Sequence, residues 1–255
     1  MNLEKKLIEI SNEYPNVMIS SMLLDVKRIS HDINLVLNSC KFKSPLELEI
    51  CDLGGGFSHF LIGCASINFK RTVLVDDFDD PNNHVLGSVP LKIHKKYGVE
   101  VFSQDVIEKG FNNIDGYFDV ITSFDSMEHW HNSPKKLFHE VANKLKKNGI
   151  FIIGVPNCVN LRKRITVPFG FGKWSSMSSW YEQEKFRGHV REPDVSDLIY
   201  MANDIKLTNI KIYGRNWLGL TSNNKFIRVL SRMIDPILKF FPSLCSDLYM
   251  VGTKE

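Results

Sequence analysis

The densest chemistry in this chain sits in Asp125-x-x-Glu128-His129, two carboxylates and an imidazole at i, i+3 and i+4. Such spacing puts all three on one face if the segment forms a helical turn. Carboxylate oxygens beside an imidazole nitrogen suit a hard or borderline divalent cation, with coordination positions left for substrate oxygens. Such an ion would acidify a bound hydroxyl. Two other readings use the same residues: His129 as a metal-free general base, or Glu128 and His129 as a cap and packed helix start. His131 and His139 fall off this constellation.

A second cluster lies at residues 46–58, where an apolar run broken at Glu47 and Glu49 leads to Asp52-Leu53-Gly54-Gly55-Gly56-Phe57-Ser58. The pattern then turns helical, with Phe60, Leu61 and Cys64 on one stripe. A buried strand, a tight turn and a helix start expose backbone N–H groups to a ligand at the rim of a parallel sheet. Glycine tolerates positive φ and lets a ligand approach the backbone closely. Asp76 and Asp77 end a short β-branched strand at 71–77, where a carboxylate can accept both hydroxyls of a ribose or simply be a solvated strand end. Sequence does not separate the two acids; Asp76 is favoured by its distance from the strand core. Asp105 follows a third strand at 99–102 and either accepts from an adenine amino group or caps a helix.

These groups need a frame. Fourth and fifth strands are expected at 117–123 and 150–155, the latter apolar enough to be central. Between them a helix runs from 134 to about 147, with Leu137, Val141 and Leu145 on its buried face and Gly149 closing it. Helices on either side of Pro15 carry an apolar period from Leu3 to Val36 and are expected to cover a sheet edge or the mouth of the site. Residues 78–97 are polar, with Pro81, Asn82 and Asn83, before a short helix. Residues 156–192 are irregular, basic and aromatic (Arg162, Lys163, Lys173, Trp174, Trp180, Lys185, Arg187 among them), as expected of a lid or binding element. A helix at 193–202, a strand at 206–213 and a closing strand at 247–251 complete the chain. Residues 225–241 form an amphipathic stretch that Pro236 is expected to kink or end. Such a stretch fits packing on the core or on a second copy, or lying on a membrane surface.

The chain has 255 residues and 43% hydrophobic content, enough for a sizeable core. The net charge of +3 makes no case for a nucleic-acid partner. Five cysteines without a C-x-x-C pair read as reduced thiols in a cytoplasmic protein. No apolar run resembles a signal peptide or spans a bilayer.

Glycines after the first strand, acid after the second and Asp after the third resemble the class I S-adenosylmethionine-dependent methyltransferases, with good register over 45–155. The resemblance implies a Rossmann-like, doubly wound, mostly parallel α/β sheet of seven strands. It divides the chain into an N-terminal helical cap (1–44) and a methyltransferase domain (45–255), with a substrate lid at 156–192 and an amphipathic insertion at 215–245. It places Asp52, Gly54 and Gly56 at the methionine end of the cofactor, Asp76 at the ribose, Asp105 and the Val106 backbone at the adenine, and Ser123 beside the methyl. Ser58 replaces the last glycine of the family's Asp-x-Gly-x-Gly-x-Gly. A nicotinamide dehydrogenase would need a third glycine where His59 stands.

Asp125-x-x-Glu128-His129 is similar to the Glu-x-x-Glu-His of ubiquinone-pathway O-methyltransferases, with Asp125 in place of Glu. It also resembles the metal site of small-RNA 2′-O-methyltransferases, in which a later histidine completes the set. His189 is the matching residue here. The resemblance thus implies Asp125, Glu128, His129 and His189 as ligands of Mg²⁺ or Mn²⁺; without metal, His129 or His189 is the base and Asp125 a further catalytic group. Pro156-Asn157, Asn160-Leu161 and Gly188-His189-Val190-Arg191-Glu192 look like methyltransferases of surface-polysaccharide assembly. The acceptor this implies is a sugar hydroxyl of a lipopolysaccharide, O-antigen or capsule glycan, phosphorylated or lipid-linked. An RNA 2′-hydroxyl, a quinone-type phenol and a non-catalytic cofactor-binding scaffold are the alternatives. Membrane contact through 225–241 and a homodimer are further expectations.

Overall fold

The computed structural model describes residues 2–78, 87–172, 176–184 and 186–255. Pro81, Asn82, Asn83, Lys173, Trp174 and Lys185 lie outside them. The seven strands are β1 (Glu49–Leu53), β2 (Arg71–Asp76), β3 (Glu100–Ser103), β4 (Phe118–Phe124), β5 (Leu145–Pro156), β6 (Thr208–Arg215) and β7 (Asp247–Thr253). They form one sheet in the order β3-β2-β1-β4-β5-β7-β6, parallel except for β7. The order reverses between β1 and β4, and a crevice opens outside the carboxyl ends of strands at such a point.

Alternate side chains feed two cores. Ile50, Leu74, Val120 and Ile152 face α1 (Leu3–Ser11), α2 (Asn16–Ser39) and α3 (Phe60–Ser66). Cys51, Val73, Ile121 and Phe151 face the opposite layer, which includes α6 (Lys135–Lys144) and α9 (Val195–Asp204). Burial on both faces explains the near-continuous apolar runs. Short helices α4 (Val89–Lys96) and α5 (Val106–Lys109) flank β3. The later ones are α7 (Leu161–Thr166), α8 (Met177–Tyr181), α10 (Trp217–Leu220) and α11 (Lys225–Leu238).

Several boundaries differ from the sequence reading. The run at 46–48 is not strand. Ser44 and Glu47 close a capping box around a 3₁₀ turn at Pro45–Glu47, and β1 starts at Glu49. Helix α6 stops at Lys144, and Leu145 already pairs with Phe118 in the sheet. A tertiary contact accounts for this: Lys146 reaches Asp119 at 2.8 Å, anchoring the segment to the sheet. Pro236 does not end α11, which continues to Leu238. Its missing N–H leaves the Arg232 carbonyl without its helical donor, and the helix ends two residues later. The apolar face of α11 is not buried: Ser231 is the buried residue of that helix.

Candidate active site

The turn after β1 is shaped by Gly54 (φ +77°) and Gly56 (φ +54°). Gly54 donates to the Val75 carbonyl at 2.8 Å, tying the turn to β2. A Cβ on Gly54 would stand 1.8 Å from the Ser126 hydroxyl, whereas one on Gly56 would meet nothing within 4 Å. Gly56 therefore opens onto free space, a cleft of about 580 Å³. Phe57, Asp76, Asp77, Asp105 and Val106 line it from the strand ends, and Ser126, Trp130 and Arg187 from the other side.

Asp76 accepts from Gly56 N–H at 2.9 Å and Phe78 N–H at 2.6 Å, which fixes the turn against β2. Phe57 and Phe78 stack with centroids 5.4 Å apart. Asp105 Oδ1 caps α5 through Ile107 and Glu108 N–H, both at 2.8 Å, while the residue also lines the cleft. The cap and the wall are one residue.

Two of the expected cleft residues lie beneath its wall. Asp52 does not line the cleft. It is buried beneath the glycine turn, where Thr122 Oγ1 donates to it at 2.6 Å. Burial pushes its carboxyl up to about 7, against the Thr122 hydrogen bond, and Asp76 and Asp32 add repulsion. Ser123 also lies under the cleft, fully buried. The hydroxyl on the cleft wall is that of Ser126, three residues further on. It went unnoticed in the sequence because the chain turns sharply at Asp125, whose φ is +47°.

A second cavity of about 450 Å³ adjoins the cleft, and Asp125 and His129 line both. Here the structure brings Glu128, His129 and His189 together, with one potential ligand atom from each lying within 4.8 Å of the others. Of the four expected ligands, Asp125 stands outside this group of three. The left-handed backbone turns its carboxylate onto the Arg28 guanidinium of α2, and Glu128 and His129 occupy a 3₁₀ turn, not an α-helical one.

His189 arrives through backbone contacts. Val190 N–H donates to the Glu128 carbonyl at 2.7 Å, and His129 Nδ1 meets the Arg187 carbonyl at 2.8 Å. His129 and His189 lie edge to face, 4.9 Å between centroids. A carbonyl only accepts, so His129 Nδ1 carries the proton and Nε2 the lone pair. His189 Nδ1 likewise faces Glu192 Oε1 at 2.7 Å. Lys163 binds the other Glu192 oxygen. Burial opposes the charge on Glu192, but His189 and Lys163 together hold the carboxyl down at about 2. Glu128 is the opposite case: burial pushes it up to about 8, and its Oε2 is buried with no hydrogen-bond partner among the described residues. Arg28, Lys163 and Glu192 carried no sequence signal for these roles; each is an ordinary charged residue until the fold supplies its partner.

A family model described as a methyltransferase domain matches residues 26–212. The chain belongs to that methyltransferase family. Among solved structures, it is similar to an S-adenosylmethionine-dependent methyltransferase from Archaeoglobus fulgidus at 17% identity, with a TM-score of 0.53 and 88% of this chain and 94% of that one covered. It is similar to phosphoethanolamine N-methyltransferase 2 of Haemonchus contortus at 16% identity and TM-score 0.54, covering 88% of this chain and 52% of that one. It is also similar to the magnesium protoporphyrin IX methyltransferase of Synechocystis at 11% identity and TM-score 0.51, covering 100% and 88%. No curated protein sequence matches the chain.

Family and fold together make this a class I methyltransferase with S-adenosylmethionine as its donor. The cleft of the methyltransferase fits that donor. Gly56 leaves a space that a side chain would fill, Asp76 and Asp77 offer carboxylates at the end of β2, and Asp105 and Val106 stand at the end of β3.

Proposed function

We propose that this methyltransferase acts on oxygen, methylating a sugar hydroxyl of a bacterial surface glycan such as a lipopolysaccharide, O-antigen or capsule. The observation that carries the reading is the Glu128, His129 and His189 cluster beside the junction of the donor cleft and the second cavity. S-adenosylmethionine, when bound, supplies an electrophilic methyl on a sulfonium. The chain's own task is to hold a hydroxyl in line with it and to take its proton. Both imidazoles carry their Nδ1 protons toward fixed acceptors, so their Nε2 atoms are basic.

The same donors fit a divalent cation such as Mg²⁺ or Mn²⁺. Two imidazoles with hydrogen-bonded Nδ1 atoms have the outer partners usual for metal ligands. The unpartnered buried oxygen of Glu128 is the kind of atom an ion satisfies. Such an ion would lower the pKa of the acceptor hydroxyl.

The second cavity supports a polyhydroxylated acceptor, since its wall is rich in hydrogen-bonding groups of both signs. Its walls mix Arg28, Arg162 and Lys163 with Asp25, Asp125 and Asp247, and Trp217 adds a ring. A flat apolar quinone would desolvate these charges and offer them no hydrogen bond in exchange for water. A net charge of +3 and acids along the same wall argue against RNA.

The test is turnover of S-adenosylmethionine with candidate glycans, read as the mass gain of one methyl and its position. Transfer to a sugar oxygen, lost in His129→Ala and His189→Ala, is the expected result. Transfer to nitrogen overturns the reading, and cofactor binding without turnover on any acceptor would make the chain a scaffold. Chelator-insensitive turnover would leave the histidines as bases and dispose of the ion.

A further inference from the structure

Helix α11 is amphipathic in the inverted sense. Its inner side is held by small and polar contacts: Ser231 is buried, a Cβ on Gly219 of α10 would stand 2.2 Å from its hydroxyl, and Asn216 donates to Asp235 at 2.9 Å. The outer side presents Phe226 (74% exposed), Met233 (70%) and Ile237 (64%), with Val229 and Leu230 between them, and Phe240 (74%) follows in the turn just beyond the helix. Lys225, Arg232 and Lys239 recur every seventh residue and so form one row beside that stripe. A second apolar element adjoins the far end of α11. Arg164 of α7 donates to the Ser243 carbonyl at 3.2 Å, and Ile165, Phe169 and Phe171 beyond it are exposed.

We propose that α11, together with the 165–171 segment, docks this enzyme onto an anionic lipid surface. Flat apolar stripes rimmed by cations are the pattern of interfacial helices, in which long basic side chains reach the headgroups while the apolar face enters the acyl boundary. The charge pattern chooses this occupant over a second copy of the chain. Asp235 is the one acid between Lys225 and Lys239, and Asn216 already engages it. A facing α11 would therefore offer no acidic row to the cations. No described helix is long and apolar enough to cross a membrane, so the contact is with the surface. Helices α7 and α10, which adjoin the stripe, also contribute Arg162, Lys163 and Leu218 to the second cavity. If the acceptor reading above holds, docking brings that cavity to where lipid-linked glycans lie.

Vesicle flotation tests the docking without reading methyl transfer, so failure of one proposal is distinct from failure of the other. The 255-residue chain is expected to float with phosphatidylcholine vesicles that contain phosphatidylglycerol, less so in high salt. Replacing Lys225, Arg232 and Lys239 together by Ser should lower partitioning roughly a hundredfold, about fivefold for each charge. Phe226→Ser with Met233→Ser and Phe240→Ser should abolish it. Far-UV circular dichroism checks that these exposed substitutions leave the fold intact. Absence of flotation with anionic vesicles overturns the proposal. So does a concentration-dependent dimer, seen by light scattering, that the phenylalanine and methionine substitutions dissociate while vesicle binding is unchanged.

Discussion

His189 donates its Nδ1 proton to Glu192 across 2.7 Å, and the same carboxylate takes Lys163 on its other oxygen. A ring that follows the Arg187 carbonyl in the chain is thereby fixed in one tautomer beside His129. Glu192→Gln keeps the size but loses the charge that orients His189. We expect kcat/KM to fall about 10- to 100-fold, the range typical of outer partners of ligating or basic histidines. Isothermal titration with S-adenosylhomocysteine should show unchanged cofactor binding, because Glu192 lines the second cavity and not the donor cleft.

Arg28 and Asp125 join α2 to the meeting point of the two cavities. Both side chains are partly exposed, so solvent screens the pair and their coupling in stability should be about 1 kcal/mol. A double-mutant cycle of Arg28→Ala and Asp125→Ala, followed by urea denaturation, measures it, and the coupling should shrink in salt. Turnover should fall about tenfold or more in either single variant, because a small misplacement at the reacting centre costs on that scale.

Gly54 and Gly56 should differ under the same substitution. Gly54→Ala strains the backbone and drives a methyl into Ser126, so stability should fall by about 2 kcal/mol or more. Gly56→Ala carries the left-handed penalty of about 1 kcal/mol but no clash. Its methyl occupies the cleft instead, so affinity for S-adenosylhomocysteine should fall more than stability does. Thermal denaturation and calorimetry on the two variants separate the effects.

Asp52 ties stability to pH. Its carboxyl is raised from 3.8 to about 7 in the folded state, chiefly by burial. Between those values the folded chain holds a proton that the unfolded chain has lost. Its contribution is therefore fully present below about 4 and is lost as pH rises toward 7. Asp52→Asn removes that slope. Melting curves at pH values from about 5 to 8 should show the wild type losing roughly 5 °C relative to the variant.

Much of the frame is written locally. The apolar runs of β1, β2, β4 and β5, the glycines at 54 and 56 and the acids at 76 and 105 are legible because each depends on its immediate neighbours. The misread helix end at Lys144 is a place where a distant group intervenes: Lys146 reaches Asp119 and leaves its helix early. The same holds for the site. His129 and Glu128 stand out by type and spacing, but nothing near Asp125 shows that a left-handed residue turns it away from them. Ser126 replaces Ser123 on the cleft wall for the same reason.

The sequence alone determined a doubly wound sheet with a glycine turn at its rim and a supply of acids and histidines, since alternation, turn chemistry and residue type act over a few residues. The tertiary structure decided which of those groups meet. Arg28 with Asp125, His189 with Glu192 and Lys163, and an α11 whose apolar side faces out all depend on the direction in which a side chain leaves a folded backbone. That direction is set by contacts between residues as far apart as 97 positions, which local pattern does not encode.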